Sequence, residues 1–401
     1  MRIIINECKK ILDIRIILLL CMFSILYYMT FTQIYRYPTG GQLTNTKYDI
    51  PFTAELVKEW GPKWKVKDEK QYQEKHQELE RGFAKIIKQD QELSKRGIVD
   101  YEIFNKKYEE LGQKTTLSKQ EKELGKLLEN YVFYNDKTSK IFLDIQALEH
   151  IREFQGSEYG VSDKKYKELK ADGFFDGTKL YQKAIEKRVK RDYISLVHEG
   201  VFYILQEDMV TIGGLIMICF FALIIPYQLK QRLRQVIPIL ATTKTGRRIY
   251  QIQLIASALA ALFVGILQMT VYGIIWHLKE LSVFWRCESW GIASNSYWCD
   301  KLSFGTYMLL YMALILLFAI ASIVIIEFIG RTIGNYMGAV AVSIPVCGVM
   351  MFLMRKIYYM LFLITNDQVL AYWELYALAT WLIVMLLFYK IRSKRWKKVD
   401  L

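Results

Sequence analysis

Apolar runs of about 20 residues, the length that crosses ~30 Å of hydrocarbon as a helix, recur along the chain between polar stretches of unequal length. They predict spans at Ile16–Tyr35, Met209–Tyr227, Leu254–Trp276, Phe304–Phe328, Asn335–Met354 and Trp373–Ile391. The fold class expected from this pattern is an all-α polytopic membrane protein with six transmembrane helices. Six spans put the N- and C-termini on one side, the cytoplasm, and a large, mostly helical extracellular domain between the first and second spans. In domain terms, residues 1–15 are an interfacial helix, 16–36 the first span, 37–206 the extracellular domain and 207–401 the five further spans.

The first 15 residues, MRIIINECKKILDIR, place Ile4, Cys8, Ile11 and Leu12 at helical spacing and Glu7, Lys9, Lys10 and Asp13 elsewhere. That is the pattern of an amphipathic helix lying on the inner membrane surface. The basic start resembles a signal peptide, but no small-residue cleavage site follows. Tyr27, Tyr28, Phe31 and Tyr35 crowd the far end of the run as interfacial aromatics do, so an uncleaved anchor is expected. Within 37–206 the candidate helices are Asp68–Arg96, Asp100–Leu111, Ser118–Tyr134, Lys137–Phe154 and Thr178–Glu207. The first two stop at Gly97 and Gly112, and the last continues into the second span without a breaker. Leu79, Phe83, Ile86, Ile87 and Leu93 form a stripe to bury, and the interleaved Lys and Glu around it read as solvated faces. The two Asp-Gly pairs in 171–177 predict turns. The stretch 355–372 is apolar but interrupted by Arg355, Lys356, Asn366 and Asp367. It is too short to cross twice, which predicts one or two re-entrant or interfacial helices.

The segment 228–253, QLKQRLRQVIPILATTKTGRRIYQIQ, bridges the second and third spans. It carries Lys230, Arg232, Arg234, Lys244, Arg247 and Arg248 and no acid. Short loops this basic stay in the cytoplasm, as does the tail RSKRWKKVDL. Pro238 suits the first turn of a helix and Gly246 its end, so a very short helix with the apolar tip Val236–Leu240 is expected. Arginines meeting anionic headgroups would explain the charge. They would not explain the apolar centre, which fits a socket on another protein.

Composition separates two populations. The 401 residues are 53% hydrophobic, yet mean hydropathy is only +0.13, because nearly charge-free spans sit beside a Lys- and Glu-rich 37–206. A net charge of +14 would point a soluble chain toward nucleic acid. Here the excess lies in membrane-flanking loops and the tail, so no nucleic-acid partner is expected. Cys21, Cys219 and Cys347 lie in spans and read as packing residues. Cys287 and Cys299 share the outer loop 277–303, where an oxidising space would let them form a disulfide; the alternative is two free thiols. A metal site would want further His or Cys nearby, and only His277 qualifies. The sequence has no GxxxxGKS/T loop, no HExxH pair and no Gly-x-Ser-x-Gly elbow, so no catalytic, cofactor-binding or metal residue is expected. Glu327 is the one acid deep in an apolar run. It reads either as a functional intramembrane acid or as a partner for Arg331 one turn on.

Four features make the chain resemble a permease subunit of a type-2 (ABC-2 type) ABC transporter. They are the NECKK…R pattern of the amphipathic start, one span followed by a large outer insertion, the LxTTxxGRR motif at Leu240–Arg248, and broken helices between the last two spans. The likeness covers the topology of the whole chain, but in sequence only its ends and the bridge. Family bridges often carry an acid near Gln235 and a lysine near Gln251 or Gln253, where this chain has glutamines. The resemblance implies a transport subunit that is not itself an enzyme. Two permease subunits, identical or related, would form the pathway among membrane lipids. Two separate ATPase subunits would bind ATP and Mg and dock on the cytoplasmic side. The bridge would be their coupling helix, with Gln235, Ile237, Pro238 and Leu240 followed by Thr242, Thr243, Gly246 and Arg247 at the contact. Export of an amphiphilic or peptide-like substrate across a cell membrane, bacterial in type, is the expected activity. A second class stays open: a membrane-anchored sensor or scaffold whose extracellular domain binds a peptide or envelope component.

Overall fold

The computed structural model describes residues 2–36, 46–65, 68–114, 116–158, 163–173, 176–189, 191–233, 249–289, 301–365, 367 and 369–399. α1 (Arg2–Ile11) ends at a bend, where Asp13 starts α2 (Ile14–Phe31) by accepting from Arg15 N at 3.0 Å, a helix cap. The short α3 (Gln33–Arg36) and then α4 (Thr46–Trp60) lead to β1 (Lys63–Lys65). There follow α5 (Glu69–Ile87), α6 (Gln91–Lys95), α7 (Tyr101–Gln113), α8 (Lys119–Glu129), a π-helical turn at Asn130–Tyr134, and α9 (Asp136–Glu158). Then come α10 (Asp163–Ala171) and α11 (Lys179–Val189), before β2 (Tyr193–Ser195) returns to pair antiparallel with β1. The chain closes with α12 (Glu199–Leu233), α13 (Ile249–Leu278), α14 (Phe304–Thr332), α15 (Tyr336–Tyr358) and α16 (Trp373–Val399).

Six helices among the described residues, α2 and α12 to α16, are long and apolar enough to cross a membrane. α12 is their axis: 78% of its most apolar stretch is buried, against 17% for α2 and for α16. It packs chiefly on α14 and α15. A Cβ on Gly213 would stand 2.7 Å from Met354 Cε and 2.9 Å from Ile315 Cγ2, and one on Gly214 2.7 Å from Met351 Cε. Small residues let helices approach this closely where lipid removes the hydrophobic drive for association. The rim helices turn Leu18, Met22, Ile25 and Met29 of α2, and Leu386 and Leu387 of α16, outward. Successive spans alternate in direction. One end of the bundle therefore holds α1, the α12–α13 and α14–α15 junctions and the end of α16. The other end holds the inserted region, the α13–α14 connection and the α15–α16 connection.

The inserted region has two cores. Near the bundle, Ile50, Phe52, Leu56, Trp64, Tyr72, Leu148 and Ile151 continue the core of the membrane helices. Farther along α5 and α9, Phe83, Tyr101, Phe104, Tyr131 and Phe142 form a separate aromatic core, with the Phe83 and Phe104 rings 5.2 Å apart and nearly perpendicular. Of the expected stripe, Phe83, Ile87 and Leu93 are fully buried, and Leu79 and Ile86 are half-buried. Asp100 and Ser118 cap α7 and α8, and Ser118 forms a capping box with Glu121.

Several sequence expectations are corrected. The helix expected over 68–96 breaks before Asp90, whose carboxylate caps α6 at Glu92 N (2.7 Å) and Leu93 N (3.0 Å). Gly97, at φ 75°, is the stop, whereas Gly112 lies inside α7. The helix expected over 178–207 is interrupted by β2, because Tyr193–Ser195 pair with Lys63–Lys65. These two three-residue strands sit in an otherwise helical fold, in keeping with the expected all-α polytopic membrane class. Where one or two re-entrant or interfacial helices were expected over 355–372, the described residues after Tyr358 form no helix before Trp373. α15 runs to Tyr358, and Met360, Phe362 and Tyr372 then take left-handed φ of 58°, 62° and 54°. Side chains hold that backbone: Tyr311 donates to Tyr358 O, Tyr307 to Leu361 O at 3.0 Å, and Glu374 accepts from Phe362 N at 2.9 Å.

For Cys287, where a disulfide with Cys299 and a free thiol were both open, the structure has a free thiol, fully buried, with Sγ 3.9 Å from Leu196 O. Cys299 lies outside the described residues. Burial pushes the Cys287 thiol up to about 12, so little thiolate is present at neutral pH. Native protein should therefore leave Cys287 unmodified by N-ethylmaleimide, while unfolded, unreduced protein should label it fully. A Cys287–Cys299 linked peptide in a non-reduced digest would contradict this.

Candidate functional site

The bridge leaves α12 and enters α13 between two short polar faces. On α12, Gln228 and Gln231 are one turn apart; on α13, Gln253 and Ser257 are likewise. On the last two turns of α14 the corresponding pair is Glu327 and Arg331. Side chains three or four apart on a helix share a face, and here each pair faces inward. All six are buried, with Gln253, Ser257 and Glu327 fully enclosed. Glu7 of α1 is buried against the same cluster.

These groups form one continuous path. Glu327 Oε2 accepts from Arg331 Nε at 3.0 Å and from Gln228 Nε2 at 2.6 Å, and its Oε1 accepts from Ser257 Oγ. Arg331 Nη2 donates to Gln253 Oε1, and Gln253 Nε2 donates to Gln231 Oε1. Gln231 Nε2 donates to Glu7 Oε2 at 2.9 Å, which also accepts from the Tyr227 hydroxyl, while Lys10 Nζ lies 2.6 Å from Glu7 Oε1. Arg331 is also stacked on Tyr250, 4.7 Å from the ring centroid, and its carbonyl accepts from Arg232 Nη1 at 2.9 Å. Gly330 makes room for the path, since a Cβ there would stand 2.8 Å from Gln228 Cβ.

The electrostatics follow from enclosure. A buried ion costs several kcal/mol of effective desolvation, which only close partners offset. Glu327 and Arg331 compensate one another, and Gln228, Ser257 and Gln253 add hydrogen bonds to the pair. At Glu7, outside the spans, burial alone would raise the carboxyl. Hydrogen bonds from Lys10, Tyr227 and Gln231 outweigh it and hold the group below the usual carboxylate range. The arrangement is a fastening: neither root of the bridge can shift without breaking this path or carrying α1 and α14 with it.

Of the two readings of Glu327, the pairing with Arg331 is present, inside a larger network. The eight bridge residues expected at a coupling contact, Gln235 to Arg247, lie outside the described residues. α1 was expected to expose Glu7 while lying on the membrane. Its apolar face does pack on the core, through Ile4, Cys8, Ile11 and Leu12, but Glu7 is enclosed too. The signal for the missed members was the helical spacing of Gln228 with Gln231 and of Gln253 with Ser257 at span ends. Glu327 is also not alone as a buried acid. Asp208 accepts from Gln33 N (2.5 Å), Ile34 N (3.0 Å) and Tyr272 (3.2 Å) at the other end of α12, and Glu374 is 1% exposed. Compared with protein families, with curated proteins and with solved structures, the chain matches none.

Arg331→Leu would leave Glu327 buried without its cation and should cost about 3–5 kcal/mol of stability. Adding Glu327→Gln should recover most of that loss. Denaturant unfolding of the purified chain in detergent, followed by tryptophan fluorescence, reads both. A double variant no more stable than the single one would show that charge compensation is not what the pair supplies.

Proposed function

We propose that the chain is the membrane subunit of an ATP-driven transporter of the type-2 ABC kind, moving an amphiphilic or peptide-like substrate outward. ATP and Mg would be bound by a separate ATPase subunit, and a second permease subunit would complete the pathway. One observation carries this reading: both roots of the basic bridge are tied by buried hydrogen bonds to α1 and α14. A loop that merely touched lipid headgroups would need no such fastening. A loop that receives a push does, because a loose root would dissipate the displacement before it reached the spans. The basic bridge and tail support a cytoplasmic position for that end of the bundle, and with it an inserted region outside the cell membrane.

A second reading has one observation in its favour. Between α5 and α9 lies an open polar cleft of about 460 Å³, lined by Tyr72, His76, Glu80, Glu149 and Arg152. There His76 Nε2 lies 3.1 Å from Glu149 and Nδ1 3.5 Å from Glu80. Such a cleft suits a sensor or scaffold that binds a peptide through this region. It does not account for the fastened bridge.

Orientation is testable by cysteine labelling. Lys88→Cys or Lys119→Cys should react with an impermeant maleimide on intact cells, and Thr243→Cys only after permeabilisation. External labelling of Thr243→Cys would overturn the transport reading.

The contact itself is tested on the purified complex. Burying Ile237 or Leu240 in a socket contributes about 1.5–3 kcal/mol, whereas an exposed arginine pair contributes at most about 1 kcal/mol. Ile237→Asp or Leu240→Asp should therefore reduce substrate-stimulated ATPase activity more than Arg248→Ala, with expression and assembly unchanged. The reverse order would favour a lipid anchor.

A further inference from the structure

The α13–α14 connection carries a second cluster of polar contacts, at the opposite end of the bundle from the fastened bridge. Glu288 in this connection lies 2.6 Å from Lys63 Nζ of β1 and accepts from the Tyr193 hydroxyl of β2 at 3.1 Å. Ser195 Oγ donates to the Glu288 carbonyl at 3.2 Å, and Lys63 Nζ also sits 4.5 Å from the Tyr193 ring centroid. The hydrogen bond to Glu288 holds the Lys63 ammonium above the ordinary lysine range. β1 and β2 lie side by side where the chain enters and leaves 66–192, so the neck of that part of the inserted region is tied to this connection.

The described parts of the connection, 279–289 and 301–303, are in turn tied to the hairpin. Phe304 N donates to Cys287 O at 2.6 Å and Ser289 N to Leu302 O at 2.8 Å. Trp285 packs flat on Gly305, where a Cβ would stand 2.2 Å from its ring, and Trp276 stacks on Phe304 at 5.7 Å. From there α13 and α14 run as unbroken helices of 30 and 29 residues. Each is about 44 Å long at 1.5 Å per residue. Their far ends hold Gln253, Ser257, Glu327 and Arg331 of the bridge network. The two helices are thus held by side-chain contacts at both ends.

We propose that the α13–α14 hairpin is a lever joining the bridge to the inserted region, with Glu288 as the positioning residue that passes its movement to the β1–β2 neck. What sets the hairpin at the bridge end thereby sets the inserted region, and the reverse holds equally, because coupling between two sites is reciprocal. The linkage lies within this chain and holds whatever protein the bridge docks on.

The test is hydrogen exchange read by mass spectrometry on the full chain in lipid nanodiscs, comparing Glu288→Gln with the unaltered protein. The local effect is faster exchange at 63–65 and 193–195. The lever adds a distant one: the amides at 249–257 and 327–332 should exchange roughly fivefold faster or more. Those of α2 and α16 should stay unchanged. The charge swap Lys63→Glu with Glu288→Lys should bring both sets back toward the starting rates. A change confined to the neck would overturn the proposal, and so would a uniform rise that includes α2 and α16. No ATPase partner enters the measurement, so its outcome stands apart from that of the transport reading.

Discussion

A carboxylate near the end of an apolar helix must find its partners within the protein or stay in contact with water. Glu327 is fully enclosed, so it has taken the first course, and much of the bundle's geometry follows. Its partners come from α12, α13 and its own helix. Slip any of these helices by one residue and the polar groups rotate about 100° off the shared face. Apolar packing between membrane helices is far more tolerant of such slips, because lipid and leucine are nearly equivalent surroundings. The polar path therefore fixes the register that apolar contacts alone would leave loose. Glu7 extends it to the first helix, which explains why an outwardly amphipathic segment is docked into the bundle.

The opposite end is organised by different physics. The neck is sealed by a two-stranded sheet that would be marginal alone, since isolated pairs of strands have little stability in water. Here Trp64 is buried beneath it and Glu288 ties it from the side. Beyond the neck, the outer aromatic core is separate from that of the bundle, so the far half of the inserted region is held by its own contacts. The near half, through Tyr72, Leu148 and Ile151, shares the bundle's core.

The spans were legible because their signal is cumulative: some 20 apolar residues leave few alternatives. Helix starts at Asp100 and Ser118 were legible because capping is local chemistry. Glu327 and Arg331 could be paired on spacing alone. What escaped was non-local. Nothing near Tyr193 announces that it pairs with Lys65, and without that pairing the stretch reads as helix. Glu7, Gln228 and Gln253 are ordinary polar residues at the edges of apolar runs, where water contact is the usual expectation. Asp208 and Glu374 were hidden for the same reason. The strained backbone after Tyr358 is stabilised by tyrosines of α14 and an acid of α16, partners that only the assembled bundle supplies.

The antiparallel register that sets Lys65 opposite Tyr193 has an architectural consequence. Paired strands hold facing Cα atoms about 5 Å apart, so the chain departs and returns at almost the same point. Everything from 66 to 192 is then, in topological terms, a cassette clipped into a two-stranded holder. The membrane helices need from it only closely spaced ends and a cover for the seam at Tyr72, Leu148 and Ile151. A short hairpin satisfying those two conditions could take its place, and a domain of quite different size or binding chemistry could be exchanged into the same holder without redesigning the spans beneath.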